Sequence, residues 1–184
     1  MRFVPTELDG AWIIQQERHS DARGSFARTF CAREFADHGL NPAIVQMSVS
    51  SAPLRGTVRG MHWQAGPAAE TKLVRATQGA LWDVIVDLRE GSPTFRRWFG
   101  IELSAALGTG LYVPAGFAHG FQTLAADTET SYAMSEYYSP EHSLGARYDD
   151  PAFGIHWPLP VSSIADRDLA WPAFSSAAPV EQPA

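Results

Sequence analysis

The sequence predicts an all-β protein, a barrel or sandwich with only short peripheral helices, and three observations carry that prediction. Short runs of alternating apolar and polar residues recur along the chain, separated by Gly, Pro and Asp, which is the punctuation of many short strands. Only residues 33–38, closed by Gly39, show a helical segment with its glycine stop. The 184 residues, 45% hydrophobic and 18% charged, are enough for one domain with a full core and too few for two ordinary ones.

The elements follow in order. Residues 12–17 (Trp-Ile-Ile-Gln-Gln-Glu) read as a first strand, and residues 33–38 as the short helix. Residues 43–51 alternate, with Ile44, Gln46, Ser48 and Ser50 on one side. Residues 72–78 and 80–88 are strands joined at Gly79. The second is the clearest of all: Ala80, Trp82, Val84, Val86 and Leu88 share one face, with Asp83 and Asp87 on the other. Residues 98–103, 111–113, 119–124 and 129–138 continue the pattern, the last placing Tyr132, Met134, Glu136 and Tyr138 on one side. There is no internal repeat and no interdomain linker, so residues 1–174 are expected to form a single domain. Residues 175–184, small and polar, are expected to fray as a flexible tail.

Charge and composition exclude several classes of partner. A net charge of −6 disfavours nucleic acid or an anionic membrane, though not a small anion held by clustered arginines. The first residues lack the apolar core of a signal peptide, and no apolar run approaches the ~20 residues of a spanning helix. Cys31 is the only cysteine, so neither an intrachain disulfide nor a thiolate metal cluster is available. A cytoplasmic protein is the expectation. The basic residues are 13 arginines and one lysine, Lys72. In a chain so biased, a solitary lysine invites a chemical explanation, because a compact ammonium and a planar guanidinium do different work.

Three stretches concentrate candidate chemistry: Arg59-Gly60-Met61-His62-Trp63-Gln64, Thr71-Lys72-Leu73-Val74-Arg75, and Pro114-Ala115-Gly116-Phe117-Ala118-His119-Gly120-Phe121. With Gly110 upstream, the third resembles the second motif of cupins, double-stranded β-helix barrels that often hold a metal. A metal-binding cupin usually supplies His-x-His, a Glu and a later His. Here Gln64 breaks the pair, leaving His62, Glu70 and His119 as a thin ligand set. The expectation is therefore a metal-free barrel, in which His62 and His119 serve as acid/base groups or anion ligands beside Arg59 and Lys72.

Those stretches, with Asp83-Val84-Ile85-Val86-Asp87-Leu88-Arg89, Gly91-Ser92-Pro93-Thr94-Phe95, Tyr137-Tyr138-Ser139-Pro140, Asp150-Pro151-Ala152-Phe153-Gly154-Ile155-His156-Trp157-Pro158 and Asp166-Arg167-Asp168, closely resemble the dTDP-4-dehydrorhamnose 3,5-epimerase family. The likeness runs in order from Asp21-Ala22-Arg23-Gly24 to Pro172. It implies a double-stranded β-helix (cupin, jelly-roll) homodimer that needs no metal or other cofactor. The implied substrate is a nucleotide-diphosphate-linked 4-keto-6-deoxyhexose, inverted at C3 and/or C5. Within the family this converts dTDP-4-dehydro-6-deoxy-D-glucose to dTDP-4-dehydro-L-rhamnose. The C4 ketone makes both hydrogens removable by delocalising the carbanion as an enolate. Inversion then needs a base on one ring face, a proton donor on the other, and a cation or hydrogen-bond donor at the ketone oxygen.

By this resemblance His62 is the base and Asp168 orients it. Tyr132 is the opposing proton donor, and Lys72 is the cation at the enolate oxygen. Arg23, Arg59 and Arg167 would meet the diphosphate with their planar forks. His119, Gln46 and Ser48 would add substrate contacts, and Tyr138 would stack on the nucleotide base. Arg28 stands where the family commonly has Glu, Met47-Ser48 where Asp-Asn is usual, and Ser143 where another Glu is frequent. These departures touch substrate binding, so a 3-only or 5-only epimerase of another nucleotide-sugar is a further reading. A non-catalytic sugar-binding cupin would have no need of His62, Lys72, Tyr132 and Asp168 together. A metal-dependent cupin oxygenase or isomerase is the remaining rival.

Overall fold

A computed structural model describes residues 1–174; the expected tail at 175–184 lies outside the described residues. The chain runs β1 (Arg2–Pro5), β2 (Trp12–Gln15), β3 (Arg18–Asp21), β4 (Gly24–Ala27), α1 (Ala32–Asp37), β5 (Gln46–Ala52) and β6 (Val58–Gln64). It continues with β7 (Lys72–Gln78), β8 (Ala80–Asp87), β9 (Trp98–Ser104), β10 (Thr109–Val113), β11 (Phe117–Thr123), β12 (Thr128–Met134), β13 (Ser143–Gly145) and α2 (Asp166–Leu169). A six-stranded sheet has the order β1-β2-β10-β7-β12-β5, and a five-stranded sheet the order β13-β6-β11-β8-β9. β3 and β4 form a separate two-stranded ribbon. The strand pairings within all three are antiparallel. The two large sheets face one another in a jelly roll, because one buried cluster takes Val74 and Leu111 from the first sheet and Leu81, Ile85, Leu103 and Phe121 from the second. Among the described residues, no helix is long and apolar enough to cross a membrane.

Each sheet also buries its outer face. Phe35 of α1, with Leu40, covers Ile14, Leu73, Tyr112 and Ala133 of the six-stranded sheet. The segment carrying Ala146 and Phe153 covers Met61, Trp63, Val84, Val86 and Ala118 of the five-stranded sheet. This double cover explains β8. The apolar face expected there packs outward under the C-terminal segment, while Leu81, Asp83, Ile85 and Asp87 face the inter-sheet core. Both aspartates are completely buried; Asp87 is provided with several donors, and Asp83 with one, its second oxygen left without a partner. Asp87 takes Arg89, Ser92 and Thr94; Asp83 takes His119.

Two expectations need correction. The strand expected over 129–138 ends at Met134, so Tyr138 lies beyond β12 and does not share its face with Tyr132 by alternation. The strand expected from residue 43 begins at Gln46, because Ile44 instead packs into the cluster beneath α1. Register slips are absent from β5 against β12, where Ser48 opposes Tyr132 and Ser50 opposes Thr130.

Candidate active site

The site is built where β6 meets β11. His62 and His119 are direct cross-strand partners, so both side chains point into the barrel from adjacent strands. The register shifts between His119 and Phe121, and Gly60 and Gly120 permit the close approach. A Cβ on Gly120 would lie 2.6 Å from Met61 Sδ and 2.9 Å from the Arg59 carbonyl oxygen. One on Gly60 would lie 2.5 Å from Gly120 Cα.

Each histidine is tied to its own aspartate. His62 Nε2 is 2.7 Å from Asp168 Oδ1, and His119 Nε2 is 2.7 Å from Asp83 Oδ1. A carboxylate only accepts, so in each neutral ring Nε2 carries the hydrogen and Nδ1 keeps the lone pair. Asp168 comes from the single turn of α2 and is 4% exposed. It does not cap that turn; its second oxygen accepts the Gly60 N–H at 3.2 Å. Burial pushes the Asp168 carboxyl up, but the His62 hydrogen bond and charge, the Gly60 N–H and Arg167 together hold it below the usual carboxylate value.

A cavity of about 500 Å³ opens between the sheets, walled by Arg59, His62, Lys72, His119, Tyr132 and Asp168 among others. Lys72 sits on β7, which is flanked by β10 and β12, so it is no strand-edge lysine. Its side chain is 13% exposed and its Nζ is 3.1 Å from Glu70 Oε1. Burial and then the Asp83 charge push the Tyr132 phenol far above its ordinary value. The ring meets His119 edge-on at 6.0 Å between centroids. Tyr132 is therefore a protonated phenol at neutral pH, able to donate a proton. A second cavity of about 220 Å³ shares His62, Lys72, Arg167 and Asp168 with the first and adds Glu70, Tyr138 and Ser143. Tyr138 is 55% exposed there, leaving its ring open for stacking.

The sequence model of dTDP-4-dehydrorhamnose 3,5-epimerases matches residues 5–176. The chain belongs to the dTDP-4-dehydrorhamnose 3,5-epimerase family. A curated dTDP-4-dehydrorhamnose 3,5-epimerase of Sinorhizobium fredii is 45% identical, covering 95% of this chain and 90% of its own. The crystal structure of the Bacillus anthracis epimerase with TDP and PPi bound has a TM-score of 0.91 at 39% identity, covering 94% of this chain and 99% of its own. A 3'-monoepimerase of Streptomyces bikiniensis in complex with dTDP-quinovose has a TM-score of 0.85 at 33% identity, covering 92% of this chain and 86% of its own.

Within this epimerase-family chain, the expected residues divide into three groups. His62, Lys72, Tyr132, Asp168, Arg59, His119 and Arg167 wall the larger cavity, and Tyr138 the smaller. Gln46 lies beside the latter, its side-chain oxygen accepting the Tyr138 N–H at 2.9 Å, while Ser48 is exposed on β5, outside both walls. Arg23 is elsewhere, on the β3–β4 ribbon, paired with Asp21 at 2.6 Å. Gln64, which replaces the second histidine of the metal motif, is 4% exposed. It donates to the carbonyls of Ala68 and Tyr137 and accepts the Ser139 N–H. Among the described residues, no group of three or more His, Cys, Asp or Glu is placed to hold a metal.

Sequence reasoning missed Asp83, the partner of His119, and Ser50 in the cavity wall. Asp83 had a signal: an aspartate inside an apolar strand is almost never buried without a partner.

Proposed function

We propose that this chain is an isomerase that inverts C3 and/or C5 of a nucleotide-diphosphate-linked 4-keto-6-deoxyhexose. The foremost reaction is dTDP-4-dehydro-6-deoxy-D-glucose to dTDP-4-dehydro-L-rhamnose. The observation that carries the reading is one cavity walled by a carboxylate-oriented imidazole, a half-buried protonated phenol and a nearly buried ammonium. His62 Nδ1 accepts the carbon-bound proton. The C–H electron pair moves into the ring and onto the C4 oxygen, giving an enolate beside Lys72. Asp168 stabilises the imidazolium that forms. Tyr132 then gives its phenolic proton to the opposite face of the carbon; the phenolate takes a proton from solvent and the His62 imidazolium returns one to it, restoring the enzyme. The step involves no net oxidation, so these side chains balance it without a redox partner.

The diphosphate falls to Arg59, in the wall of the larger cavity, and Arg167, which lines both cavities. Of the departures from the family pattern, only Ser143 lines either of the two site cavities, Met47 lining a separate one. Arg28 is ion-paired with Glu34 at 3.1 Å and Met47 is 68% exposed. The proton chemistry is therefore intact, while the nucleotide side is altered. The likeness to a 3'-monoepimerase favours, as a second reading, inversion at C3 alone.

A homodimer accounts for Arg23, which lines a separate cavity on the ribbon and neither of the two site cavities, and touches substrate only if the ribbon is presented to a second copy. Supporting this, β5 is an edge strand with Met47 68% and Val49 61% exposed, and Phe26 on the ribbon is 73% exposed. Sedimentation of the wild type as a monomer at micromolar concentration would remove that part of the proposal. We place the protein in the cytoplasm, in keeping with its one free thiol, Cys31.

The test is solvent exchange in deuterated water with dTDP-, CDP- and GDP-linked 4-keto-6-deoxy sugars. The wild type is expected to wash deuterium into C3 and/or C5, His62→Ala to abolish this, and Tyr132→Phe to retain exchange while losing inversion. Equal exchange by wild type and His62→Ala overturns the base assignment.

A further inference from the structure

Glu70 is a nearly buried carboxylate that the proposed chemistry leaves without a task. Its side chain is 10% exposed and that of Lys72 13%, and the two are 3.1 Å apart. They stand two residues apart in a segment that enters β7 in extended form, so their side chains leave on the same side. The residue between them is pinned in both directions: the Thr71 N–H donates to Ser135 Oγ at 2.8 Å, and the Ser135 N–H donates to the Thr71 carbonyl at 3.0 Å. Glu70 is thus held by its backbone, and it lines only the smaller cavity, whereas Lys72 lines both.

We propose that Glu70 is a positioning residue for Lys72, anchoring the ammonium at the junction of the two cavities so that it serves the enolate oxygen and not the diphosphate. This rests on the function proposed above. A lysine on a flexible four-carbon stem is a point charge drawn to the strongest nearby anion, and a diphosphate carries more charge than a developing enolate. A fixed carboxylate already paired with Nζ at 3.1 Å opposes that drift. It also spares a nearly buried cation from standing alone.

Glu70→Gln keeps the shape and removes the charge. It is expected to lower kcat about tenfold, the loss of one modest transition-state contact, while KM stays the same or falls as Lys72 moves to the diphosphate. Glu70→Asp, which keeps the charge, should recover part of that loss. Because the effect runs through one side chain, Glu70→Gln added to Lys72→Met should cost nothing further. Should Glu70→Gln fail to fold, Glu70→Asp alone and on Lys72→Met supplies the same comparison. A variant with wild-type kcat and only a lowered Tm overturns the proposal, as does a loss that persists in full on Lys72→Met. Absence of exchange by the wild-type enzyme would instead overturn the functional reading beneath it.

Discussion

Replacing Asp168 by Asn separates orientation from shape at the base. Asp168 accepts two protein hydrogens, from His62 Nε2 at 2.7 Å and from the Gly60 N–H at 3.2 Å. An amide of the same shape offers one acceptor and one donor face. If its oxygen turns to His62, its NH2 meets the Gly60 N–H, leaving a buried donor unmatched at about 1–3 kcal/mol. If its oxygen turns to Gly60, its NH2 donates to Nε2, and His62 must shift its hydrogen to Nδ1. The second arrangement satisfies every buried group, so it prevails, and it removes the lone pair that accepts the substrate proton. The imidazolium also loses its counter-charge. Together these withdraw a general base, about 10²–10⁴-fold in rate or roughly 3–5 kcal/mol of barrier. The assay is NMR-detected deuterium exchange at C3 and C5 of the 4-keto sugar, with thermal melting to confirm that the fold survives. A folded Asp168→Asn enzyme exchanging within about threefold of wild type, well short of the general-base range, would refute the tautomer argument.

Other outcomes follow from the same geometry. Tyr132, raised by burial and the Asp83 charge, should contribute no tyrosinate absorbance up to about pH 11, beyond the ordinary phenol range; Asp83→Asn should bring its titration down. Burial raises the Asp87 carboxyl, but the Arg89, Ser92 and Thr94 hydrogen bonds hold it below the usual carboxylate value. A depressed carboxyl stabilises the fold above its unfolded value and ceases to do so as pH falls through its folded value. The stability gap between wild type and Asp87→Asn in urea titrations should therefore be widest at neutral pH and close below about pH 4. Gly120→Ala should lower Tm and activity together, because its Cβ meets the Arg59 carbonyl at 2.9 Å; an unchanged melt would mean that β6 and β11 separate freely.

Most of the fold was legible because local pattern and tertiary environment agree in the central strands. β7 spans the residues read from sequence, Lys72–Gln78, and the short helix closes at Gly39 with φ +71° as its stop signal implies. The β3–β4 ribbon was not legible: its residues are almost all exposed, so no apolar alternation marks it. Alternation also misled at Tyr138, since the polar residues after Met134 extend the pattern past the last ladder bond. In the site, His62 and His119 were marked by the cupin-like motif stretches, and Lys72 by being the only lysine beside 13 arginines. Asp168 did not, because its role is set by a contact with a residue 106 positions away, delivered by one helical turn with no periodicity to read. Only the family resemblance selected it over Asp166.

The two histidine–aspartate pairs raise the question of why His62 and not His119 is the proposed base. Both rings keep a lone pair on Nδ1, and both lie on neighbouring strands. Their burial differs: the His62 side chain is 39% exposed and that of His119 6%. A base that ends each half-reaction as an imidazolium needs water or a counter-charge within reach, and His62 has both. His119 would become a cation in the dry wall behind Tyr132. There the Asp83 charge already serves a second purpose, favouring the neutral phenol over the phenolate. Moving a proton onto His119 would cancel that charge and make Tyr132 more acidic just when it must hold its proton for delivery. The barrel thus separates the two dyads by solvent access, which in the proposed mechanism fits one to take protons and the other to keep the opposing donor protonated.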